Sequence, residues 1–397
     1  MIQLFYQWAR AICKLLRVQC TGLFPLLIVA PFLLTSCASP PQGAALPRII
    51  VAPTGNSFIT ARSKERFVPW GVNYGNAGRL MEDFWVHDWP TLAGDFHEIK
   101  QMGGNSVRLH LQFGKFMDAP DQLNPLALKQ LQRLLKLAEH TGLYLDLTGL
   151  ACYRPTDVPA WYDQLDDAAR WEAQAVFWRA IAHECAGSPA VFCYDLMNEP
   201  ISPGQTEKWY SGQLLGGYDF IQFIARNPAN TNREQLAVAW TRKLAGVIRA
   251  ADANALVTVG LLPWDLKWKH LSAFVPGEIA PYLDFISVHL YPDTKQPDAA
   301  LLALRECAVG KPVLIEETFA LSCTVPELEK FLHASRKIAC GWIWHYDGRT
   351  VAQYERLEPT QRLTPAQVIW RANLKSFIRL GPEFKTTTAP ANTVGHK

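Results

Sequence analysis

The stretch FCYDLMNEP, residues 192–200, joins an apolar, aromatic run directly to an amide, a carboxylate and a proline. Proline cannot donate a hydrogen bond to a sheet, so a strand that reaches Pro200 has to end there. Glu199 therefore stands at the carboxyl end of a buried strand. In parallel α/β proteins this end carries the functional side chains, because the loops that follow the strands build the site.

Short apolar runs alternate with helical patterns along the rest of the chain. The predicted strands are 68–73, 106–111, 143–148, 191–196, 255–260, 285–290, 312–317 and 341–345. The predicted helices are 94–102, 125–139, 168–185, 232–251, 298–308, 325–338 and 365–379. This alternation predicts an α/β fold, a single (β/α)8 TIM barrel. A doubly wound sheet is disfavoured because no GxGxxG phosphate loop follows an early strand.

Three further segments complete the predicted domain, which spans residues 48–383. Residues 48–70 read as short strands around a Thr-Gly-Asn turn, a small N-terminal β-hairpin that closes the bottom of the barrel. The connection 201–231 is too long for an ordinary loop, and we expect it to lie over the site as an elaborated strand-to-helix loop. Residues 384–397 are expected to form a disordered tail.

The formal charge of +3 comes from three basic residues near the start, Arg10, Lys14 and Arg17, which face no acids. Without them the 39 basic residues fall to 36, which equals the 36 acidic residues. No electrostatic footprint for nucleic acid remains, so we expect no nucleic-acid partner.

The sequence LTSC at residues 34–37 follows an apolar stretch and resembles the lipobox of bacterial lipoprotein signal peptides. The resemblance implies a signal peptide over 1–36, lipidation of Cys37 and a tether over 37–47. The protein would then be exported and held on a membrane by a lipid anchor, facing the periplasm or the cell surface. The absence of an aspartate after Cys37 favours the outer membrane. The alternative is an ordinary signal peptide, or an anchor, with a chance cysteine.

Six cysteines lie beyond Cys37: Cys152, Cys185, Cys193, Cys307, Cys323 and Cys340. An even number in an exported protein allows disulfides, but the spacing does not select a pairing. The chain contains neither CxxC nor HExxH, so we expect no metal and no cofactor. We also expect a monomer.

Polar or aromatic side chains recur where the predicted strands end. They are Asn73, Arg108, Asn198, Glu199, His289, Tyr291, Glu317 and Trp344. Each alone is compatible with a structural ion pair or a core aromatic, but their convergence favours a site. Two carboxylates from opposite strands suit glycoside hydrolysis, in which one carboxylic acid protonates the leaving oxygen and one carboxylate attacks the anomeric carbon.

The motifs NSVRLH, YDLMNEP, SVHLYP, KPVLIEETF and GWIWHYDG resemble, in this order, those of glycoside hydrolase family 5, the cellulase and mannanase family. The resemblance covers residues 55–380 and implies a retaining mechanism. It assigns Glu199 as the acid/base, Glu317 as the nucleophile and Asn198 as the residue that binds the sugar 2-hydroxyl.

The same resemblance assigns the surrounding residues. Arg108 and Tyr291 match the partners that ionise and hydrogen-bond the nucleophile, and His289 matches the histidine near the acid/base. Trp344 matches the aromatic platform under the cleaved sugar. Trp342 shares a strand face with Trp344, so the choice between these two tryptophans stays open.

Glu316 is the rival of Glu317, and neighbouring strand residues face opposite ways, so we expect only one of them to point into the barrel mouth. The family spacing from the Lys-Pro that opens the strand favours Glu317. Two departures from the common pattern stand out. Thr148 occupies a position where many members carry a histidine, which favours mannan, and Thr318-Phe319 replaces the usual aromatic-glycine pair.

We therefore expect a retaining β-glycoside hydrolase that acts on a β-linked glycan as an endo-β-1,4-mannanase or a cellulase-like β-glucanase. One alternative is an exo-β-glycosidase or transglycosylase in which residues 201–231 close one end of the cleft. Another is a non-catalytic, glycan-binding surface lipoprotein, although a pure binder has no need of an activated carboxylate pair. An ester hydrolase is disfavoured because no GxSxG motif is present.

Overall fold

The computed structural model describes residues 46–80, 88–204, 206–212, 217–226, 232–263, 272–357 and 362–386. The predicted signal peptide 1–36, the lipidation site Cys37 and nearly all of the tether 37–47 lie outside the described residues. No helix within these ranges has the length and apolar character needed to cross a bilayer.

The strands of the described residues form a closed barrel and two small antiparallel sheets. They are β1 (Ile49–Val51), β2 (Phe58–Thr60), β3 (Arg66–Phe67), β4 (Trp70–Tyr74), β5 (Ser106–Gln112), β6 (Met117–Ala119), β7 (Gln122–Leu123), β8 (Tyr144–Ala151), β9 (Val191–Asn198), β10 (Val257–Leu261), β11 (Ile286–His289), β12 (Val313–Glu317) and β13 (Ala339–Tyr346). Strands β4, β5, β8, β9, β10, β11, β12 and β13 pair in parallel, in this order, around the closed barrel. The (β/α)8 prediction is confirmed.

Helices follow the barrel strands. They are α1 (Trp89–Gln101), α2 (Phe113–Phe116), α3 (Pro125–Thr141), α4 (Ala160–Gln164), α5 (Asp167–Cys185), α6 (Arg233–Ala251), α7 (Pro276–Ile279), α8 (Ala299–Glu306), α9 (Val325–Ser335), α10 (Val351–Leu357) and α11 (Pro365–Lys385), with 3-10 turns at Pro155–Asp157 and Ala280–Tyr282. Local sequence explains the ends of α3: the Asn124 side chain accepts hydrogen bonds from two backbone N–H groups, and Gly142 ends the helix with a φ of 69°.

The amino end of the barrel is closed by an antiparallel sheet in the order β1-β2-β3. The Phe58 ring meets Phe192 and Phe285 edge-on, with centroids 5.0 and 5.1 Å apart. All three rings are buried. The predicted hairpin is therefore present, with a third short strand added to it, and it seals the bottom of the barrel with apolar contacts.

The last helix continues past the predicted domain boundary at residue 383. Helix α11 runs to Lys385, and Phe384 is fully buried against Trp70 and Trp342. Residues 384 and 385 therefore belong to the domain rather than to a tail. The predicted tail beyond Thr386 lies outside the described residues.

The six cysteines that the structure describes are all free, and five of them are buried. Burial raises the pKa of the Cys193 thiol well above its ordinary value, and it raises that of Cys185 to values above those of an exposed thiol. These thiols are therefore packed, protonated groups of the domain, and no pair of them forms a disulfide.

Candidate active site

Glu199 owes its orientation to the backbone at the end of β9. Its φ of 46° lies in the left-handed region, which a non-glycine residue rarely adopts. Its N–H donates to the carbonyl of Gly260 on the neighbouring strand at 2.8 Å. This turn interrupts the alternation of the strand, so Asn198 and Glu199 both reach the mouth of the barrel, where each contacts charged side chains.

Glu317 ends β12 and receives two short hydrogen bonds. Arg108 donates to Oε1 at 2.5 Å and the Tyr291 hydroxyl donates to Oε2 at 2.5 Å. Burial would raise the pKa of Glu317, but His289 and Arg108 outweigh it and hold the pKa well below the ordinary value. Glu317 is therefore an ionised carboxylate with both oxygens held in place.

His289 connects the two carboxylates. Its Nδ1 lies 2.9 Å from Glu199 Oε1 and 3.6 Å from Glu317 Oε1. Burial opposes a charge on this ring, but Glu317, Glu199 and Glu316 together raise the pKa of His289 to about 10. The imidazole is therefore a buried cation at neutral pH, located between the two glutamates.

One donor atom from each of Glu199, His289 and Glu317 lies within 4.8 Å of the others. Three such groups are the kind of set that binds a metal ion. Here, however, Glu317 already accepts hydrogen bonds from Arg108 and Tyr291, and the histidine is protonated. Both oxygens of Glu317 and one oxygen of Glu199 are thus engaged by side chains of the protein, an arrangement that suits carboxylate chemistry.

The expectation that the two neighbouring glutamates face opposite ways is wrong, although Glu317 is the one that reaches the mouth. The pairing of β11 with β12 shifts after Val288, so that His289 is opposite Glu317 and Glu316 is an extra residue in its strand. This β-bulge turns both side chains inward. Glu316 lies deeper and is fully buried, with Oε2 at 3.3 Å from His289 Nε2 and 3.6 Å from Arg108.

Asn73, near the end of β4, holds the β-bulge at Glu316 in place. Its Nδ2 donates to the backbone carbonyls of Glu316 and Trp344, each at 2.9 Å. Its Oδ1 accepts a hydrogen bond from Arg108 at 2.8 Å. The amide of Asn73 therefore links three strands beneath the site.

Arg108 is the buried centre of the charged network. Its Nη2 donates to Asp195 at 2.8 Å and to Asn198 Oδ1 at 3.0 Å, in addition to the Nη1 bond to Glu317. Burial alone would lower the pKa of Arg108, but Glu316, Asp195 and Glu317 raise it well above the ordinary value. The guanidinium thus hydrogen-bonds to both the amide of Asn198 and the carboxylate of Glu317, and it fixes their positions relative to each other.

Asp195 supports Arg108 from below. Its carboxylate also accepts from Thr148 Oγ1 at 2.8 Å and from the N–H of Gly260 at 2.7 Å. Burial and Glu316 raise the pKa of Asp195 to about 6, although Arg108 opposes the rise. Thr148, the residue that departs from the common family pattern, therefore hydrogen-bonds to Asp195, which holds Arg108 in place.

Gly260 leaves room for this network. A Cβ at this position would lie 2.8 Å from Glu316 Oε2, 2.9 Å from Arg108 Nη2 and 2.9 Å from His289 Nε2. These distances are shorter than real Cβ contacts, so the buried charges require glycine here. A glycine in an apolar strand is a sequence signal for such a close approach.

Asp146 and Glu316 form a pair of buried acids below the network. Burial and the charge of Glu316 raise the pKa of Asp146 well above its ordinary value. Burial opposes ionisation of Glu316 as well, but Arg108 and His289 lower its pKa. Asp146 is therefore the protonated member of the pair, and Glu316 is the ionised one.

Trp344 does not lie in the cleft, so its prediction as the sugar platform is wrong. Its side chain is buried, 5.7 Å from Trp70 and 5.9 Å from Phe377 between ring centroids. Trp342 faces the same way, and its Nε1 donates to Ser335 of α9. Both tryptophans therefore pack between the barrel and its outer helices, on the outward face of β13.

His345 is the residue of β13 that reaches the mouth. Its Nε2 lies 2.9 Å from the Tyr291 hydroxyl and 3.9 Å from Glu317 Oε2. Its ring stacks beside Tyr291 with centroids 6.1 Å apart. Burial lowers the pKa of His345 to about 4, so the ring is neutral at pH 7. His345 is not among the predicted site residues, although alternation along the strand places it opposite the face of Trp344.

His110 is the second residue that was missed. Its Nε2 lies 3.4 Å from Arg108 Nη1, and its Nδ1 lies 2.6 Å from the Tyr153 hydroxyl. Burial and Arg108 lower the pKa of His110 well below the ordinary value. A spacing of two residues places Arg108 and His110 on the same face of β5, and this spacing is the signal that identifies it.

The comparison with known families agrees with this geometry. A family model described as Cellulase (glycosyl hydrolase family 5) matches residues 71–344, from the first barrel strand to the last. The chain belongs to glycosyl hydrolase family 5. It is a glycoside hydrolase, as the sequence predicts.

Solved structures of similar fold share little sequence with this family 5 enzyme. An exo-beta-1,4-mannosidase from Opitutaceae bacterium strain TAV5 superposes with a TM-score of 0.62 at 18% identity, covering 84% of this chain and 62% of that one. A GH5_18 protein from Bifidobacterium longum subsp. infantis gives 0.59 at 17% identity, covering 82% and 81%. The beta-mannanase of the blue mussel Mytilus edulis gives 0.58 at 16%, covering 87% and 100%. No curated protein matches the sequence.

Proposed function

We propose that this family 5 enzyme hydrolyses β-1,4-linked mannan or manno-oligosaccharides with retention of the anomeric configuration. The observation that carries the proposal is the spacing of Glu199 and Glu317, which each place one carboxylate oxygen within 4.8 Å of the other. Retaining enzymes hold their carboxyl groups about 5 Å apart, whereas inverting enzymes need about 6.5–9.5 Å to admit a water molecule. The observed spacing favours direct attack by one carboxylate.

The charges assign the roles within the pair. Glu317 is held ionised by Arg108, Tyr291 and His289, so it is the nucleophile that attacks the anomeric carbon and forms a glycosyl-enzyme. Glu199 protonates the departing glycosidic oxygen and afterwards takes a proton from the water that releases the sugar. Its hydrogen bond to His289 orients the carboxyl group for both steps.

Asn198 contributes to the same step. Arg108 occupies its Oδ1, and one Nδ2 hydrogen is donated to the Phe220 carbonyl at 3.1 Å. The amide carries a second Nδ2 hydrogen, which is available to the sugar 2-hydroxyl. Hydrogen bonds to this hydroxyl strengthen in the transition state of glycoside hydrolysis.

Two observations favour mannan as the substrate. Thr148 replaces the histidine that many family members carry, and mannanase-like members often lack that histidine too. Several proteins of similar fold are named as mannanases or as a mannosidase. The second candidate is a β-1,4-glucan, which the family model's description as a cellulase favours.

The test is the hydrolysis of β-mannan, cellulose, mixed-linkage β-glucan and xylan, with the products followed by proton NMR from the first minutes. We expect sugar release from mannan with the β-anomer formed first. Release from another polymer alone would contradict the proposed substrate, and an α-anomer formed first would contradict the proposed mechanism. The variant Glu317→Ala is the matched control for contaminating activity.

We also propose that the protein is a lipoprotein, anchored through Cys37 after removal of residues 1–36. The support is the basic start, the apolar stretch and the sequence LTSC at residues 34–37. The mass of the membrane-extracted protein should correspond to a diacylated chain that starts at Cys37. A Cys37→Ala variant should lose this modification. An unmodified wild-type chain would contradict the proposal.

A further inference from the structure

Residues 217–222, called the strap here, extend from the long connection after β9 along one side of the barrel mouth. The carbonyl of Phe220 accepts a hydrogen bond from Asn198 at the end of β9. The N–H of Asp219 donates to the Tyr153 carbonyl, just after β8, at 2.7 Å. The Tyr218 hydroxyl donates to the Gly78 carbonyl, after β4, at 2.9 Å. The strap therefore contacts the end of β9 and the connections that follow β8 and β4.

The strap is firmly held. Its Asp219 carboxylate is buried and accepts hydrogen bonds from Ser211 Oγ at 2.6 Å and from the N–H of Gly212. The Phe220 ring lies between Tyr153 and Tyr218, with centroids 4.9 and 5.5 Å away. A segment with these backbone and ring contacts forms a fixed wall.

The strap also reaches the innermost part of the site. Tyr153, which stacks on Phe220, donates or accepts the 2.6 Å hydrogen bond with His110. His110 lies 3.4 Å from the guanidinium of Arg108, which in turn holds Glu317. Two side chains, Tyr153 and His110, thus connect the wall to the arginine that holds the nucleophile.

The proposed chemistry orients a sugar relative to this wall. The leaving oxygen has to lie beside Glu199, and the 2-hydroxyl beside Asn198. The ring then extends from Glu199 past Asn198, so that carbons 3 and 4 lie on the side of Tyr153 and the strap. In a β-1,4-linked chain, oxygen 4 carries the next sugar on the non-reducing side, and in this orientation it would point towards the strap.

We propose that the strap closes the non-reducing side of the cleft, so that the enzyme removes single sugars from the non-reducing ends of β-1,4-linked chains. The inference rests on the proposed function, because the sugar is oriented by the roles of Glu199 and Asn198. Tyr218 and Phe220 are then the residues that determine exo action.

The experiment uses the full chain and β-1,4-mannopentaose tagged at its reducing end. The wild-type enzyme should release mannose and leave tagged tetraose, then tagged triose, with at least about a tenfold excess of mannose over larger untagged fragments at early times. The double variant Tyr218→Ala/Phe220→Ala should release larger untagged fragments and reduce this excess. Tyr282→Ala, in the 3-10 turn that precedes β11 at the amino end of the barrel, is the matched control and should keep the wild-type pattern.

Each contrary result has one meaning. Early release of untagged biose and triose by the wild type would overturn the inference while leaving the proposed hydrolysis intact. The same holds if the double variant stays folded and active with an unchanged product pattern. Cleavage of no β-linked manno-, gluco- or xylo-oligosaccharide would overturn the proposed function, and the inference with it. Circular dichroism and the thermal midpoint show whether each variant has folded.

Discussion

The two ends of the barrel are equally buried but opposite in chemistry. At the amino end, the rings of Phe58, Phe192 and Phe285 pack against one another and expose at most 1% of their surface. At the carboxyl end, Arg108 and Glu316 expose 0% and carry full charges. Burial of the rings stabilises the fold directly, at roughly 25 cal/mol per Å². Burial of the charges costs desolvation energy that their pairing has to offset.

A single strand shows the change from one end to the other. β9 begins beside Phe192, in the apolar bottom, and ends at Asn198, in the charged mouth. Between them, Asp195 anchors Arg108. The comparison predicts that substitutions at the bottom reduce stability, whereas substitutions at the mouth chiefly reduce activity.

The largest effect is expected for Glu317→Gln. The amide keeps the shape of the side chain but cannot attack the anomeric carbon, so kcat/KM should fall by about 10⁴-fold or more. The urea midpoint should change little. Glu306→Gln, at an exposed end of α8, is the matched control and should keep full activity. Substantial residual activity in the folded Glu317 variant would break the assignment of the mouth as the catalytic end.

At the bottom, Phe192→Ala should reduce the free energy of unfolding by about 3–5 kcal/mol, because it opens a cavity among three buried rings. The kcat of the folded fraction should remain close to that of the wild type. Urea unfolding followed by tryptophan fluorescence measures the loss. Leu126→Ala, at a side chain 72% exposed, is the control and should change stability by less than about 0.5 kcal/mol. A Phe192 variant that loses activity but not stability would contradict the comparison.

The charged end should give the protein a pH-dependent stability. Because the pKa of His289 is raised to about 10 from an ordinary value near 6.5, its contribution is fully present below about pH 6.5. It is lost as the pH rises to about 10, at a cost of about 2 kcal/mol or more. Urea unfolding between pH 6 and 10 measures this loss, and His289→Gln should show a flatter profile. Equal slopes for the two proteins would show that His289 is not a buried cation.

The smallest effect is expected for Gly260→Ala. The added methyl group meets Arg108, Glu316 and His289, so it should cost about 1–3 kcal/mol of stability and displace the network. Gly246→Ala is the matched control, because a Cβ there meets nothing within 4 Å and alanine favours helix α6. It should be neutral or stabilising. A fully active Gly260 variant would show that the network tolerates displacement.

The fold could be predicted because its signals are local. Apolar runs predict the eight barrel strands. The cap at Asn124 and the glycine at 142 predict both ends of one helix to within a few residues. The terminal helix extends further than expected because Phe384 finds a buried place against Trp70, which is distant in sequence. Such a contact leaves no trace in the local pattern.

The site could be predicted only in part. Both faces of a parallel barrel strand are buried, so β13 shows no contrast between polar and apolar positions, and the sequence did not reveal that Trp344 faces outward. The bulge at Glu316 is likewise a property of pairing between strands rather than of one strand. His110 was accessible from its spacing to Arg108, but the motif drew attention to the arginine alone.

The most direct test of the account is to trap the glycosyl-enzyme. A 2-deoxy-2-fluoro-mannosyl fluoride slows the second step of a retaining reaction, so the covalent adduct should accumulate and can be located by mass spectrometry of peptides. The account predicts one adduct, on Glu317, formed by the wild type and absent from Glu317→Gln. An adduct on Glu316 or Glu199 would contradict the roles that the charged network assigns to these glutamates.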